Sequence, residues 1–190
     1  MIHEVDQALK SLLAAGLPTD SGVGVSLDAP TRDWAAGRGG PTVNAYLYDI
    51  REDAERRQHG YAPVLDRSGG VVGRRPQPHW FKLSYLVSAW TGRPEEEHQL
   101  LSSLLVQCVT HTVLTPAALS GALATLELDV TVAVSGSPSA ARSLAEVWSG
   151  LGGDLRPAID LVVIAPLPAD RDVKAGPPVT QTPSIAMSRR

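Results

Sequence analysis

The chain has a single cysteine, Cys108, one phenylalanine and two methionines in 190 residues. A lone cysteine excludes an intrachain disulfide framework and any C-x-x-C motif, and a reducing compartment is the simpler setting. There is no excess of basic charge either. The net charge is −3 and the isoelectric point near 5.9, so no broad positive field invites nucleic acid. No apolar run approaches the roughly 18 residues that a membrane span requires. The first six residues, Met1 to Asp6, are acidic and amphipathic and lack the basic start and apolar core of a signal peptide. The expected setting is therefore the cytoplasm, with export only as part of something larger.

Catalytic signatures are missing as well. There is no Walker loop, no G-x-G-x-x-G after a strand and no H-E-x-x-H. Ser135-Gly136-Ser137 lacks the flanking glycines of a nucleophile elbow. The histidines (His3, His59, His79, His98 and His111) stand singly, none with a second ligand at metal spacing. No catalytic residue, metal or cofactor is expected on these grounds.

Aromatic residues are scarce, and six of the nine fall on two stretches: Tyr46 and Tyr48 in Pro41–Asp53, and Trp80, Phe81, Tyr85 and Trp90 in His79–Thr91. Both stretches read as long β-strands. In the second, Phe81, Leu83, Tyr85, Val87 and Ala89 share one face, against Lys82, Ser84 and Ser88 on the other. In the first, Val43, Ala45 and Leu47 oppose Asn44, Tyr46, Tyr48 and Ile50. Neither face is clearly polar, which predicts a strand inside a sheet. A strand of a dozen residues runs to roughly 40 Å, about twice the common length.

Helical spacing predicts a helix over residues 2–17, ended by Gly16 and Pro18, and another over 94–110. The second opens on Pro94 and three glutamates, which suit a helix start. Its predicted buried stripe is Leu100, Leu101, Leu104, Leu105 and Cys108. Shorter elements are a strand at Val23–Leu27, a turn of helix at Thr31–Ala36, a helix at Pro116–Leu123 and a strand at Leu128–Val134. A further helix starts with Ser137 as N-cap and Pro138 as first residue, and buries Leu144, Val147, Trp148 and Leu151. The apolar run Ala158–Ala165 reads as a central strand buried on both sides. Residues 58–78, rich in Gly, Pro and Arg, read either as the tip of a hairpin or as a mobile loop. From Pro166 the chain shows no helical or strand period and reads as an extended tail. The expected division is a folded domain at 1–167 and a proline-rich tail at 168–190.

Asp49, Glu52, Asp53 and Glu55 form the best candidate acid cluster. Asp49 and Asp53 would share a strand face, as two ligands of a hard cation would, and would found a metal-dependent enzyme. The preferred reading is a solvated strand end with Arg51, Arg56 and Arg57 as ion-pair partners. Cys108 reads as a small buried hydrophobe. Arg67, Arg74 and Arg75 form a local basic patch, either a solvated loop or a contact with an acidic partner surface. The tail, with Val179 and Ile185 in its Val179–Met187 stretch, is either filler or an arm that adds a short strand to a neighbour's sheet.

Six stretches taken together are distinctive: IHEVDQALKSLL (2–13), VSLDAPTRDWAA (25–36), PTVNAYLYDIREDAERR (41–57), FKLSYLVSAWT (81–91), EEHQLLSSLL (96–105) and WSGLGGDLRPAIDLVVIAPL (148–167). In this order and spacing they resemble the N-terminal domain of the cap protein, the tube and sheath terminator, of extracellular contractile injection systems. The resemblance covers about residues 1–167. It implies an α/β fold of the α+β type, with a small mixed sheet, a long β-hairpin and helices packed on it, as in phage tail terminators. It implies a homo-oligomer, six copies forming a ring over the last tube and sheath rings of a phage-tail-like particle, and no catalytic residues. Some members carry a further region beyond this domain, where this chain has its proline-rich tail. Another non-catalytic baseplate or adaptor part of the same machine is the competing assignment.

Overall fold

Two long strands form where the apolar alternation places them, within the element order α1 (Ile2–Ala15), β1 (Gly24–Ser26), α2 (Arg32–Ala36), β2 (Thr42–Glu52), β3 (Tyr61–Leu65), β4 (Val71–Pro76), β5 (His79–Trp90), α3 (Pro94–Thr110), β6 (Val113–Leu114), α4 (Gly121–Thr125), β7 (Val130–Val134), α5 (Leu144–Gly150), β8 (Ala158–Leu167) and β9 (Val173–Lys174). The computed structural model describes residues 1–19, 21–134, 144–167, 173–174 and 176. The chain divides into two units, Met1–Arg57 with Pro78–Pro168, and Gln58–Gln77 with Ala169–Arg190.

The first unit is built on a six-stranded mixed sheet ordered β1-β2-β5-β8-β7-β6. Only β1 and β2 run parallel; the other pairings are antiparallel. β5 is the hub, paired along nearly its whole length with β2 on one side and β8 on the other. One face carries Leu83, Tyr85, Val87 and Ala89 of β5 beside Ile159, Leu161 and Val163 of β8, all buried. α1 and α3 cover it with Val5, Leu9, Leu13, Leu104 and Cys108 in one continuous core. Burial pushes the Cys108 thiol above its ordinary value, in keeping with an inert, packed cysteine. Tyr85 donates to Asp6 Oδ1 at 2.7 Å, so its fully buried ring keeps a partner for its hydroxyl.

The opposite face differs from the sequence expectation. Leu86, Ser88 and Trp90 are buried there, because α2 and α5 lie over it with Trp34, Ala35, Val147 and Trp148. Ser88 is tolerated because the Trp90 indole N–H donates to its Oγ at 2.9 Å. A β-bulge corrects the face assigned to Ile50. The register passes from Leu47↔Tyr85 to Asp49↔Ser84, which leaves Tyr48 as the extra residue. Beyond it every side chain changes side, so Ile50 pairs with Leu83 rather than sharing a face with Tyr46. Tyr48 donates to Asp160 Oδ1 at 2.8 Å, and burial with this bond raises its pKa to about 12.

Other expectations are corrected in detail. Leu105 lies on the solvent side of α3, 42% exposed. Residues 116–123 form a 3-10 turn at Pro116–Ala118 and then α4, not one helix. β7 starts at Val130 rather than Leu128. β8 is central in the sheet, but its burial alternates: Ile159, Leu161, Val163 and Ala165 are buried, while Asp160, Val162 and Ile164 are half-buried. The proposed cap at Ser137-Pro138, and Ser135-Gly136-Ser137, lie outside the described residues.

In the second unit β3 and β4 form a hairpin, and β9 adds to β4 through Gly73↔Lys174 and Arg74↔Val173. The stretch after Pro166 therefore contains a short strand, although the sequence there shows no strand period. Asp66 organises the hairpin turn, accepting from Ser68 Oγ at 2.6 Å and from the Gly70 and Ser68 N–H groups, each at 2.8 Å. Those bonds hold its carboxyl below the ordinary value.

Glu4 is a buried acid within the first unit, 6% exposed. Its carboxylate accepts from Ala122 N at 3.2 Å and Leu123 N at 3.0 Å, and so caps the start of α4 from another helix. Gly121 has φ +58, and a Cβ there would overlap the Glu4 carboxylate. Burial pushes the Glu4 carboxyl up, but the Leu123 and Ala122 N–H groups and the N-terminal ammonium hold it below its ordinary 4.5. A depressed folded pKa gives stability that is fully present above the unfolded value and is lost as pH falls through the folded one. Glu4→Gln is expected to cost about 1–2 kcal/mol at neutral pH. It should also flatten the loss of stability between about pH 6 and pH 3. Urea unfolding across that range checks it, and an unchanged slope counts against the assignment.

Candidate interaction site

Three tryptophans gather at one end of the sheet. Trp34 stands on α2, whose start is capped by Thr31 Oγ1 accepting from Trp34 N at 3.2 Å. Trp90 ends β5 and Trp148 lies on α5. Trp34 and Trp90 meet edge to face, centroids 5.4 Å apart and planes at 80°. Trp90 and Trp148 lie 6.1 Å apart. The arrangement suits the quadrupoles of the rings.

Two guanidiniums stack on this cluster. Arg156 lies 4.3 Å from the Trp90 ring centroid, and Arg38 lies 5.2 Å from Trp90 and 5.9 Å from Trp34. Such contacts each contribute about 0.5–2 kcal/mol. Arg156 Nη2 reaches both oxygens of Glu97, at 3.1 and 3.2 Å. Glu97 Oε1 also accepts from Thr91 N at 3.1 Å. The position of Glu97 follows from the sequence, because Pro94 sets α3 directly after β5 and turns its first helical turn back toward Thr91. Arg38 donates only to carbonyl oxygens, Ala35 O at 3.0 Å and Trp90 O at 3.1 Å. Among the described residues no carboxylate pairs with it. Burial, then the like charge of Arg156, lower its pKa against the pull of Glu97.

Three clefts adjoin here. One of about 260 Å³ is walled by Thr31, Arg32, Trp90, Asp154 and Arg156. A second, about 270 Å³, lies between Arg38, Pro41 and Thr91, and its glycines Gly40 and Gly92 have open space where side chains would stand. A third, about 330 Å³, shares Pro41 and Thr91 with the second and runs on to Val23 and Leu100. The first two are lined by arginine, and the third mixes Val23 and Leu100 with Glu96, Gln99 and Ser103.

The acid cluster weighed as a metal site, with a solvated and ion-paired strand end as the preferred reading, is held by basic side chains. Asp49 pairs with Arg51 at 2.6 Å. Asp53, 3% exposed, has Lys82 Nζ at 3.1 Å and Arg56 Nε at 3.6 Å. Glu52 accepts from Arg57 and lies 3.2 Å from His79 Nδ1; those two hold its pKa at about 2. Glu55 lies on the 3-10 turn Ala54–Arg56. Among the described residues no group of three or more His, Cys, Asp or Glu stands close enough to hold a metal ion. Among the same residues no helix is long and apolar enough to cross a membrane. Arg67 follows Asp66 in the hairpin turn, and Arg74 and Arg75 are successive residues of β4, so they point to opposite faces. Val179 and Ile185 lie outside the described residues.

The profile of the Pvc16 N-terminal domain family matches residues 4–181. The chain belongs to that family. Among solved structures, this Pvc16 N-terminal domain is similar to the sheath/tube terminator of the extracellular contractile injection system PVC in its extended state. The TM-score is 0.70 at 24% identity, covering 100% of this chain and 64% of that one. It is also similar to the anti-feeding prophage cap, the AFP tube terminating cap, at a TM-score of 0.66 and 21% identity, covering 95% of this chain and 60% of that one. At these identities the likeness establishes the fold, and the chain spans less than two thirds of each of those chains. No curated protein matches it.

Four of the distinctive stretches of this Pvc16 N-terminal domain supply the cluster: Trp34 comes from 25–36, Trp90 from 81–91, Glu97 from 96–105, and Trp148 and Arg156 from 148–167. Sequence reasoning placed Trp34 and Trp148 on helices but did not single out Arg38 or Arg156. Both are ordinary surface residue types with no local period, and only tertiary contact joins them to Trp90.

Proposed function

We propose that this chain is a structural terminator, the cap that ends the inner tube and sheath at the distal end of a contractile injection particle. The observation that carries this reading is the family match over residues 4–181, joined to the likeness of the fold to two terminator caps along nearly the whole chain. Capping is a matter of shape. One face matches the growing end, and the other offers no site for the next ring. Six copies, assembled in the cytoplasm into a closed ring, make the same heterologous contact from each subunit to the next. Arg67, Arg74, Arg75, Val179 and Ile185 are the contacts to probe within such an assembly. The role needs no bound cofactor and no turnover.

The test is electron microscopy of particles from cells lacking this protein. Tubes and sheaths of uncontrolled length are expected. Complete absence of particles would assign it instead to a baseplate or adaptor component, and particles of normal length would remove it from termination altogether.

A further inference from the structure

At the Trp90 end of the sheet Arg38 is a cation with no carboxylate bonded to it among the described residues. Glu97 is saturated by Arg156 and the Thr91 N–H. Arg32 and Asp154 meet at only 3.5 Å, with side chains 74% and 92% exposed, a weak pair at the rim. Arg38 spends two donors on carbonyls, which neutralise nothing, and burial, then the nearby Arg156 guanidinium, lower its pKa. A fork-shaped cation held rigid by two backbone bonds and two indole rings is organised to receive a planar anion.

The cleft row gives the shape of what brings that anion. A small ion would need only the first pocket. Here the opening continues past Arg38 over Gly40 and Gly92 and on to Pro41, Val23 and Leu100. Bare glycine backbone leaves N–H and C=O groups within reach of another backbone. In the third cleft Pro18, Val23, Pro41 and Leu100 form an apolar strip, with Glu96, Gln99 and Ser103 beside it. We propose that this row is a docking groove for an extended, acid-bearing peptide segment of a partner protein. Its carboxylate lies against Arg38 and Arg156, and an apolar side chain a residue or two away lies against Pro41 and Leu100. The proposal does not rest on the terminator reading, because the groove belongs to the isolated chain.

The test uses the full chain and a synthetic acetylated, amidated pentapeptide carrying one glutamate and a leucine two residues on. Its twin has glutamine in place of glutamate. Binding is followed by tryptophan fluorescence and calorimetry. The glutamate peptide is expected to bind about tenfold more tightly than the twin, the increment of charge-assisted bonds. Rising salt should erode only that preference. Arg38→Gln is expected to abolish the preference, and Arg38→Lys to retain part of it. If Arg38→Gln does not fold, Arg38→Lys alone carries the comparison through a reduced preference. Equal binding of both peptides, no binding of either up to about 10 mM, or a preference undiminished in Arg38→Gln or in Arg38→Lys would overturn the proposal. Displacement of the glutamate peptide by inorganic phosphate at equal concentration would reduce the site to a simple anion pocket and would also overturn it.

Discussion

Trp148→Ala is expected to lower the unfolding free energy by about 3–5 kcal/mol, the range for emptying a buried tryptophan site. On a chain of this size that corresponds to a melting temperature lower by roughly 10 °C. The reason is local. The core on the α1/α3 face draws on many buried residues, but among the described residues the other core buries just Leu86, Trp90 and Trp148. Trp148 is 1% exposed and is the anchor of α5, a seven-residue helix too short to stand alone. Removing it leaves a cavity against Trp90. Leu155→Ala, at a position 68% exposed, is the control and should change stability by less than about 0.5 kcal/mol. Chemical denaturation of both variants checks the pair. A loss below about 1 kcal/mol for Trp148→Ala would show that the second core is dispensable.

Glu97→Ala is expected to cost about 2–3 kcal/mol. Breaking a buried ion pair by deleting one partner runs to about 3–5 kcal/mol, and the lower figure applies because the Arg156 side chain is 32% exposed and water softens the loss. The substitution also removes the acceptor of the Thr91 N–H. A double-mutant cycle with Arg156→Ala separates the two contributions. The coupling between the two side chains should come to about 1–2 kcal/mol, and the remainder belongs to Thr91 and packing. Purely additive effects would show that the Glu97–Arg156 contact is not what holds α3 to the loop before β8.

Much of this fold is legible in the sequence because its signals are local. The alternation in His79–Thr91, Pro94 followed by three glutamates, and the apolar spacing of Val5, Leu9, Leu12 and Leu13 each name an element without help from elsewhere. What escapes is what two distant stretches decide together. Ser88 and Trp90 read as a polar or end position until α5 arrives to cover them. Ile50 reads as a neighbour of Tyr46 because nothing in PTVNAYLYDIRED announces that Tyr48 is an inserted residue. Val173–Lys174 is too short to show a period and becomes strand only through β4. The candidate interaction site follows the same logic. Its aromatic members are conspicuous in a chain poor in aromatics, whereas Arg38 and Arg156 acquire meaning only from the ring they share.

The extra residue at Tyr48 bears on solubility. β1 accompanies β2 only along Thr42–Asn44, so among the described residues the rest of β2 has no strand beside its row of backbone groups on that side. An unbroken row of this kind invites a stray chain to zip onto it. The kink interrupts its spacing midway, and Asp49, Arg51 and Glu52 crowd the far half with charge. Copies of this chain are thereby kept from pairing edge to edge with one another.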